Sequence, residues 1–156
     1  MTVKRIVHGH LYEDFELGRV FKHHWGRTLT QTDNVLFCSL TMQYNPLYFN
    51  AEYARKLGYK TCPIHPMLLM VTTVGLSVED LTEAGGPFLG IDDLKYFELF
   101  FPEDTLTAES TVLDRRLSAS RPGWGIVSWH TRGYNQRSEQ VIEYKRTNLS
   151  RTRGAK

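Results

Sequence analysis

Apolar and polar positions divide the chain into a helical first half and a stranded second half. Val20 to Leu29 has the short, β-rich character of a strand, and Thr30-Gln31-Thr32-Asp33 follows with the hydroxyl-x-x-acid spacing that caps a helix start. The helix predicted over Asn34–Met42 places Leu36, Phe37 and Leu40 on one face. Pro46 biases Gln43–Asn50 towards extended backbone. A short helix, Ala51–Leu57, is capped by Asn50, supported by Glu52 with Lys56, and closed by Gly58. Tyr59 to Ile64 reads as a loop.

The longest predicted helix starts at His65-Pro66, with proline suited to the first helical position, and runs to about Thr82. Met67 to Val78 is apolar or small on nearly every side, which predicts a buried helix. Gly75 in its middle costs helix stability and implies close packing there. Beyond Gly85-Gly86-Pro87 the period changes. Phe88–Phe101, Leu106–Leu117, Gly125–Tyr134 and Gln140–Leu149 read as four strands separated by turn residues. Helices segregated against an antiparallel sheet make an α+β domain, and a sheet curled around one buried helix is the economical arrangement.

Length and composition narrow this further. The 156 residues suit a single domain over 1–156, with 1–11 and 150–156 expected to be loosely held ends. A net charge of +2 is too small to steer nucleic acid, and no apolar run approaches the ~20 residues of a membrane span. Lys145, Arg146, Arg151, Arg153 and Lys156 gather at the C-terminus, as a solvated tail or a phosphate contact. Cys38 and Cys62 lack metal-ligand spacing, no secretory signal precedes them, and together they imply a reduced, cytoplasmic setting without metal.

Three stretches carry a resemblance. Tyr12-Glu13-Asp14-Phe15-Glu16-Leu17-Gly18, Thr30 through Phe37, and Asn45-Pro46-Leu47 with Pro63-Ile64-His65 resemble the MaoC-like dehydratases and (R)-specific enoyl-CoA hydratases of the hot-dog fold. Phe101-Pro102-Glu103-Asp104 and Ser120-Arg121-Pro122-Gly123 are similar to landmarks of the mesaconyl-CoA hydratase subgroup. The resemblance implies a curved antiparallel sheet around a central helix and an acyl-CoA thioester as substrate, with no further cofactor. It also implies pairing into a homodimer or larger assembly.

It implies a site as well. The family uses an Asp and a His flanking Asn-Pro to move protons for a water; here Gln43 and Tyr48 stand in those places. Neither is a base at neutral pH, since a tyrosine titrates near pH ~10. The family's backbone donor to the thioester carbonyl falls on Pro66, which has no N–H, leaving the Met67 and Leu68 amides. His65 is the titratable candidate beside the site. Gln43, Asn45, Tyr48 and His65 would line a tunnel for a short or oxygenated acyl chain, with Arg121 a candidate for a CoA phosphate. Asp33 reads as a cap, and of His23 and His24 one should pack and the other face solvent. The leading function is an acyl-CoA hydratase or dehydratase with an altered water-handling pair. The rivals are a non-catalytic hot-dog subunit beside a catalytic partner, and a thioesterase using Asp33 or Glu52.

Overall fold

The computed structural model describes residues 8–155. A six-stranded antiparallel sheet carries the fold: β1 (Val20–Lys22), β2 (Arg27–Thr28), β3 (Phe88–Tyr96), β4 (Thr105–Leu117), β5 (Trp124–Tyr134) and β6 (Gln140–Arg151). The order is β1-β4-β5-β6-β3, with β2 also paired to β4. Four helices precede the long strands: α1 (Gln31–Leu40), α2 (Ala51–Lys56), α3 (Pro66–Leu76) and α4 (Val78–Leu81).

β5 alternates strictly between inward and half-exposed positions, as a central strand with one buried face should. Its glycines have packing causes. A Cβ on Gly125 would lie 2.1 Å from the Tyr12 ring, so the N-terminal turn seats on the sheet only there.

Sequence patterning located every long element, and the differences are physical. The first strand is interrupted: Lys22 pairs Glu109 and Arg27 pairs Leu106, so four residues span two on the partner. Within that bulge His23 turns inward, whereas His24 and Trp25 are exposed. The helix expected from Pro66 to Thr82 breaks at Ser77, whose N–H and Oγ both bond Val74 O. The buried Arg146 guanidinium fixes that break, donating to Ser77 Oγ (2.8 Å), Thr82 Oγ1 (3.1 Å) and Asn148 Oδ1 (2.8 Å). Arg146 is thus interior, and Arg153 pairs Asp14 across the N-terminal turn. Lys156 lies outside the described residues. β3 ends at Tyr96, short of the expected Phe101; a bulge between Asp92 and Lys95, with Asp93 at φ 53°, interrupts its pairing with β6, which resumes at Lys95 and Tyr96.

Two cores lie under the two helix ends. Leu68 and Leu69 of α3 pack with Leu29, Ile64, Phe100 and Leu106, while Leu81 of α4 packs with Phe15, Phe21 and Trp129. The expectation that α3 is buried on every side does not hold within one chain. Met67 and Val71 are 43% and 45% exposed, and with Gly75 and Val78 they form an open stripe. The predicted apolar face of α1 is corrected too: Asn34 and Cys38 are buried, while Leu36 and Leu40 are exposed. The local pattern there reports apolar character without reporting what covers it.

Candidate active site at the head of the central helix

The site is assembled around one side chain, Asn34. The capping box at the head of α1 is complete without it: Thr30 N–H and Oγ both bond Asp33 Oδ2, and Asp33 N–H returns to Thr30 Oγ1. The Thr30 hydroxyl, then its amide and Arg27, hold the Asp33 carboxyl below its usual range. Asp33 is therefore a cap, engaged also by Arg27 at 2.7 Å. Asn34, one residue on and fully buried, faces the interior. Its Nδ2 donates to Tyr48 O (2.7 Å) and Pro63 O (2.9 Å), and its Oδ1 accepts from His65 N–H (2.8 Å). One amide thereby fixes the Asn-Pro turn, the loop before α3 and the N-cap of α3. Its only sequence signal is an Asn inside a helix that is already capped.

His65 is that N-cap. Its Nδ1 accepts from Met67 N–H at 3.1 Å, so the neutral ring carries its proton on Nε2. Burial lowers its pKa below the ordinary histidine value. The ring lies between Phe37 and Tyr48, with centroids at 5.2 and 4.4 Å. Tyr48 ends the short turn Pro46–Tyr48, which Asn45 caps by accepting from Leu47 N–H at 3.1 Å. Burial, with Tyr59 nearby, raises the Tyr48 pKa, so Tyr48 stays a neutral phenol at physiological pH.

A cavity of about 150 Å³ opens beside these residues, walled by Tyr48, Tyr59, Pro66, Leu69, Tyr96 and Glu98 among others. Tyr96 Oη donates to Pro66 O at 2.9 Å. The Tyr48 and Tyr59 hydroxyls engage no other group among the described residues, so both remain available as donors. Tyr59, Tyr96 and Glu98 were not singled out from sequence, because the loop after α2 and the bulged end of β3 meet only in the folded chain.

The residues expected from sequence divide. Tyr48 lines the cavity, and His65 stands directly behind its ring. Asn45 is exposed and caps the turn; Gln43 is exposed, with its N–H bonded to Cys38 O. The Met67 amide is committed to His65, and Leu68 has its side chain in the core. Arg121 lies in the turn between β4 and β5, at the opposite end of β4 from the Phe100 side of the cavity. Cys38 and Cys62 are buried free thiols, raised in pKa by burial. No helix of the described residues is long and apolar enough to cross a membrane.

A sheet curved around a helix whose N-terminus meets an Asn-Pro turn defines the hot-dog class. A solved MaoC-domain protein from Chloroflexus aurantiacus superposes with a TM-score of 0.90 at 30% identity, covering 98% of this chain and 43% of that one. A Mycobacterium tuberculosis protein with a double hot-dog fold superposes at 0.82 and 18% identity, over 94% of this chain and 45% of that one. The mesaconyl-CoA hydratase family model matches residues 3–156. A mesaconyl-CoA hydratase from Haloarcula hispanica is 37% identical over 142 residues, covering 90% of this chain. The chain belongs to the mesaconyl-CoA hydratase family of MaoC-like proteins. It spans about 40% of the length of that relative.

Proposed function

We propose that the chain is a MaoC-type acyl-CoA hydratase or dehydratase unit, binding an enoyl or hydroxyacyl thioester at the head of α3. The observation that supports this reading is the cavity at the head of α3 with two unengaged phenols, Tyr48 and Tyr59, in its wall. The usual backbone donor is lost at Pro66, and the next amide is spent on His65. The phenols take over, donating to the thioester carbonyl as negative charge develops on its oxygen. His65 is a positioning residue in this scheme: it caps α3 and holds the Tyr48 ring.

A second copy of the chain completes the unit. The open stripe of α3 borders a groove of about 600 Å³ lined by Trp25, Arg27, Leu68, Val71 and Gly75. An exposed apolar stripe of Met67, Val71 and Val78 with Gly75 among them suits the close approach of a second helix across a two-fold contact. The double hot-dog neighbour, of which this chain covers 45%, supports a second hot-dog unit beside this one.

A second reading has its own support: a thioester-binding unit without turnover. Gln43 is exposed and Tyr48 is a neutral phenol, so these positions supply no carboxylate–imidazole pair. One experiment separates the two. The purified chain is mixed with tigloyl-CoA and crotonyl-CoA, following binding by calorimetry and hydration by loss of the enoyl-thioester absorbance. Turnover that Tyr48→Phe lowers by about 10²-fold supports the enzyme. Saturable binding without turnover selects the second reading, release of free CoA indicates a thioesterase, and no binding overturns the site.

A further inference from the structure

We infer that the phosphates of the CoA carrier are held by Arg55, Lys56 and Lys60, a basic rim beside the acyl cavity at the end of α2. The inference rests on the proposed function, and concerns where the charged end of the thioester lies. A CoA thioester has a reacting end without charge and a polyanionic far end, joined by the flexible pantetheine arm. The reacting end needs donors to its carbonyl oxygen, and the far end needs cations it can reach from water.

The path of the chain brings that rim to the cavity. At the end of α2, Leu57 N–H bonds Tyr53 O and Ala54 O, and Gly58, at φ 91°, turns the backbone through the left-handed region. Tyr59 N–H then bonds Ala54 O at 3.1 Å, folding the next residues back against the last turn of the helix. This turn puts Tyr59 in the cavity wall and leaves Lys60 exposed beside it. The Lys60 ammonium lies 4.1 Å from the centre of the Phe101 ring, and Phe101 follows Phe100 of the same wall. Lys60 is thus placed at the rim from two sides, by the loop after α2 and by the segment after β3. Arg55 borders a third part of the wall. Burial chiefly raises the Cys62 thiol, and the Arg55 charge pulls against it, one residue before Pro63 of the wall.

All three cations are exposed and loosely engaged. Arg55 bonds Glu52 on the surface of α2, a kind of pair that contributes little in water, and a phosphate competes with Glu52 for it. Lys60 rests on a ring face, a weak contact at an exposed site. Each can turn to a phosphate without giving up a buried bond. Arg55 and Lys56 also suit the negative end of the α2 dipole, but Lys60 lies beyond the helix and has no such role. Arg121, the residue expected from sequence to meet a phosphate, stands at the opposite end of β4 from this cavity.

The test compares crotonyl-CoA with crotonyl-pantetheine, which share the acyl group and the arm and differ in the nucleotide with its phosphates. In calorimetry the unaltered purified chain should bind crotonyl-CoA at least about tenfold more tightly, and added salt should erase most of that preference. The joint variant Arg55→Ala, Lys56→Ala, Lys60→Ala should lose about tenfold for crotonyl-CoA while keeping crotonyl-pantetheine within about twofold. Lys60→Met alone should lose part of the preference, and Arg121→Ala none of it. Equal binding of the two thioesters by the unaltered chain overturns this inference and leaves the thioester site standing. A CoA preference that the joint variant and Lys60→Met both keep, or that Arg121→Ala removes, overturns the assignment of the phosphates to this rim. Binding of neither thioester overturns the thioester site itself.

Discussion

Two buried side chains hold the two ends of the central helix, and they do it with different chemistry. At the head, Asn34 makes three hydrogen bonds, to Tyr48 O, Pro63 O and His65 N–H, and carries no charge. At the tail, Arg146 also makes three, to Ser77, Thr82 and Asn148, and is a buried cation whose pKa burial lowers. Beside Arg146 runs a second polar chain, in which His23 Nδ1 meets Asp80 Oδ2 at 2.6 Å, His23 Nε2 meets Ser110 Oγ at 2.9 Å, and Ser110 meets Thr131. Read without burial, that Asp–His–Ser series looks like a nucleophile relay. Ser110 and Thr131 are fully buried, so it is a structural tie from α4 to the sheet. At the tail a buried charge serves the fold, whereas at the head the buried Asn34 is uncharged and the cavity beside it is walled by phenols and Glu98.

The largest expected effect breaks this symmetry of role. Arg146→Met leaves two hydroxyls and an amide without their charged donor, and should cost about 3–4 kcal/mol in urea unfolding. Asn34→Ala should cost about 2–3 kcal/mol, because it strands backbone groups of neutral type. The two should differ more in binding than in stability. Folded Arg146→Met should bind thioester as the unaltered chain does, whereas Asn34→Ala should lose at least about tenfold, since nothing then fixes the Tyr48 turn against His65. Equal binding losses would mean that the two ends are not functionally distinct.

Acid should act on both ends, by the same sign. Desolvation first, then the nearby Arg146 charge, lower the His23 pKa against the opposing pull of Asp80 and Glu109; burial alone lowers that of His65. Each takes up a proton more readily when unfolded. Stability from both is therefore complete above the unfolded value of 6.5 and is lost as pH falls from there towards the folded values, at about 1.4 kcal/mol per unit of difference for each. His65→Asn, which keeps an N-cap acceptor, should remove the share from the head and leave the share from the tail. An unfolding free energy that stays flat between pH 7 and 5 in the unaltered chain would show that neither ring is held neutral.

How much of this was legible in the sequence depends on the range of the interaction. Capping of α1 by Thr30 and Asp33, the Asn50 cap, Pro66 at the head of α3 and the four long strands are local features, and local spacing shows them. That one of His23 and His24 packs and the other faces solvent was legible as well, although the bulge between β1 and β2, and not strand alternation, is what sets it. Asn34, Tyr59, Tyr96 and Glu98 are another matter. Each meets segments distant in sequence, through contacts that no periodicity encodes: Asn34 bonds His65 31 residues on, and Tyr96 bonds Pro66 30 residues back. The basic cluster near the C-terminus misled for the same reason: Arg146 faces inward because β6 is an interior strand, and its guanidinium is satisfied by Ser77 between α3 and α4, Thr82 just after α4, and Asn148 of β6. Apolar composition, conversely, overstated the burial of α3, since sequence shows what wants cover and not which chain provides it.

The smallest expected effect tests that last point. Gly75 sits mid-helix with nothing within 4 Å of where a Cβ would be, so within one chain nothing requires a glycine there. If the stripe of Met67, Val71 and Val78 stays in water, Gly75→Ala should stabilise the chain by up to about 1 kcal/mol at every protein concentration, through helix propensity alone. If a second copy packs its helix across the stripe, the glycine is what permits close approach. The added methyl then helps the isolated chain slightly and hinders the pair. Melting followed from sub-micromolar to high micromolar concentration separates these: the unaltered chain should gain stability with concentration, and Gly75→Ala should gain less, with a weaker dimer in sedimentation. A uniform gain, with no dependence on concentration in either chain, would leave the head of α3 to work without a partner and remove the two-fold contact from the proposed unit.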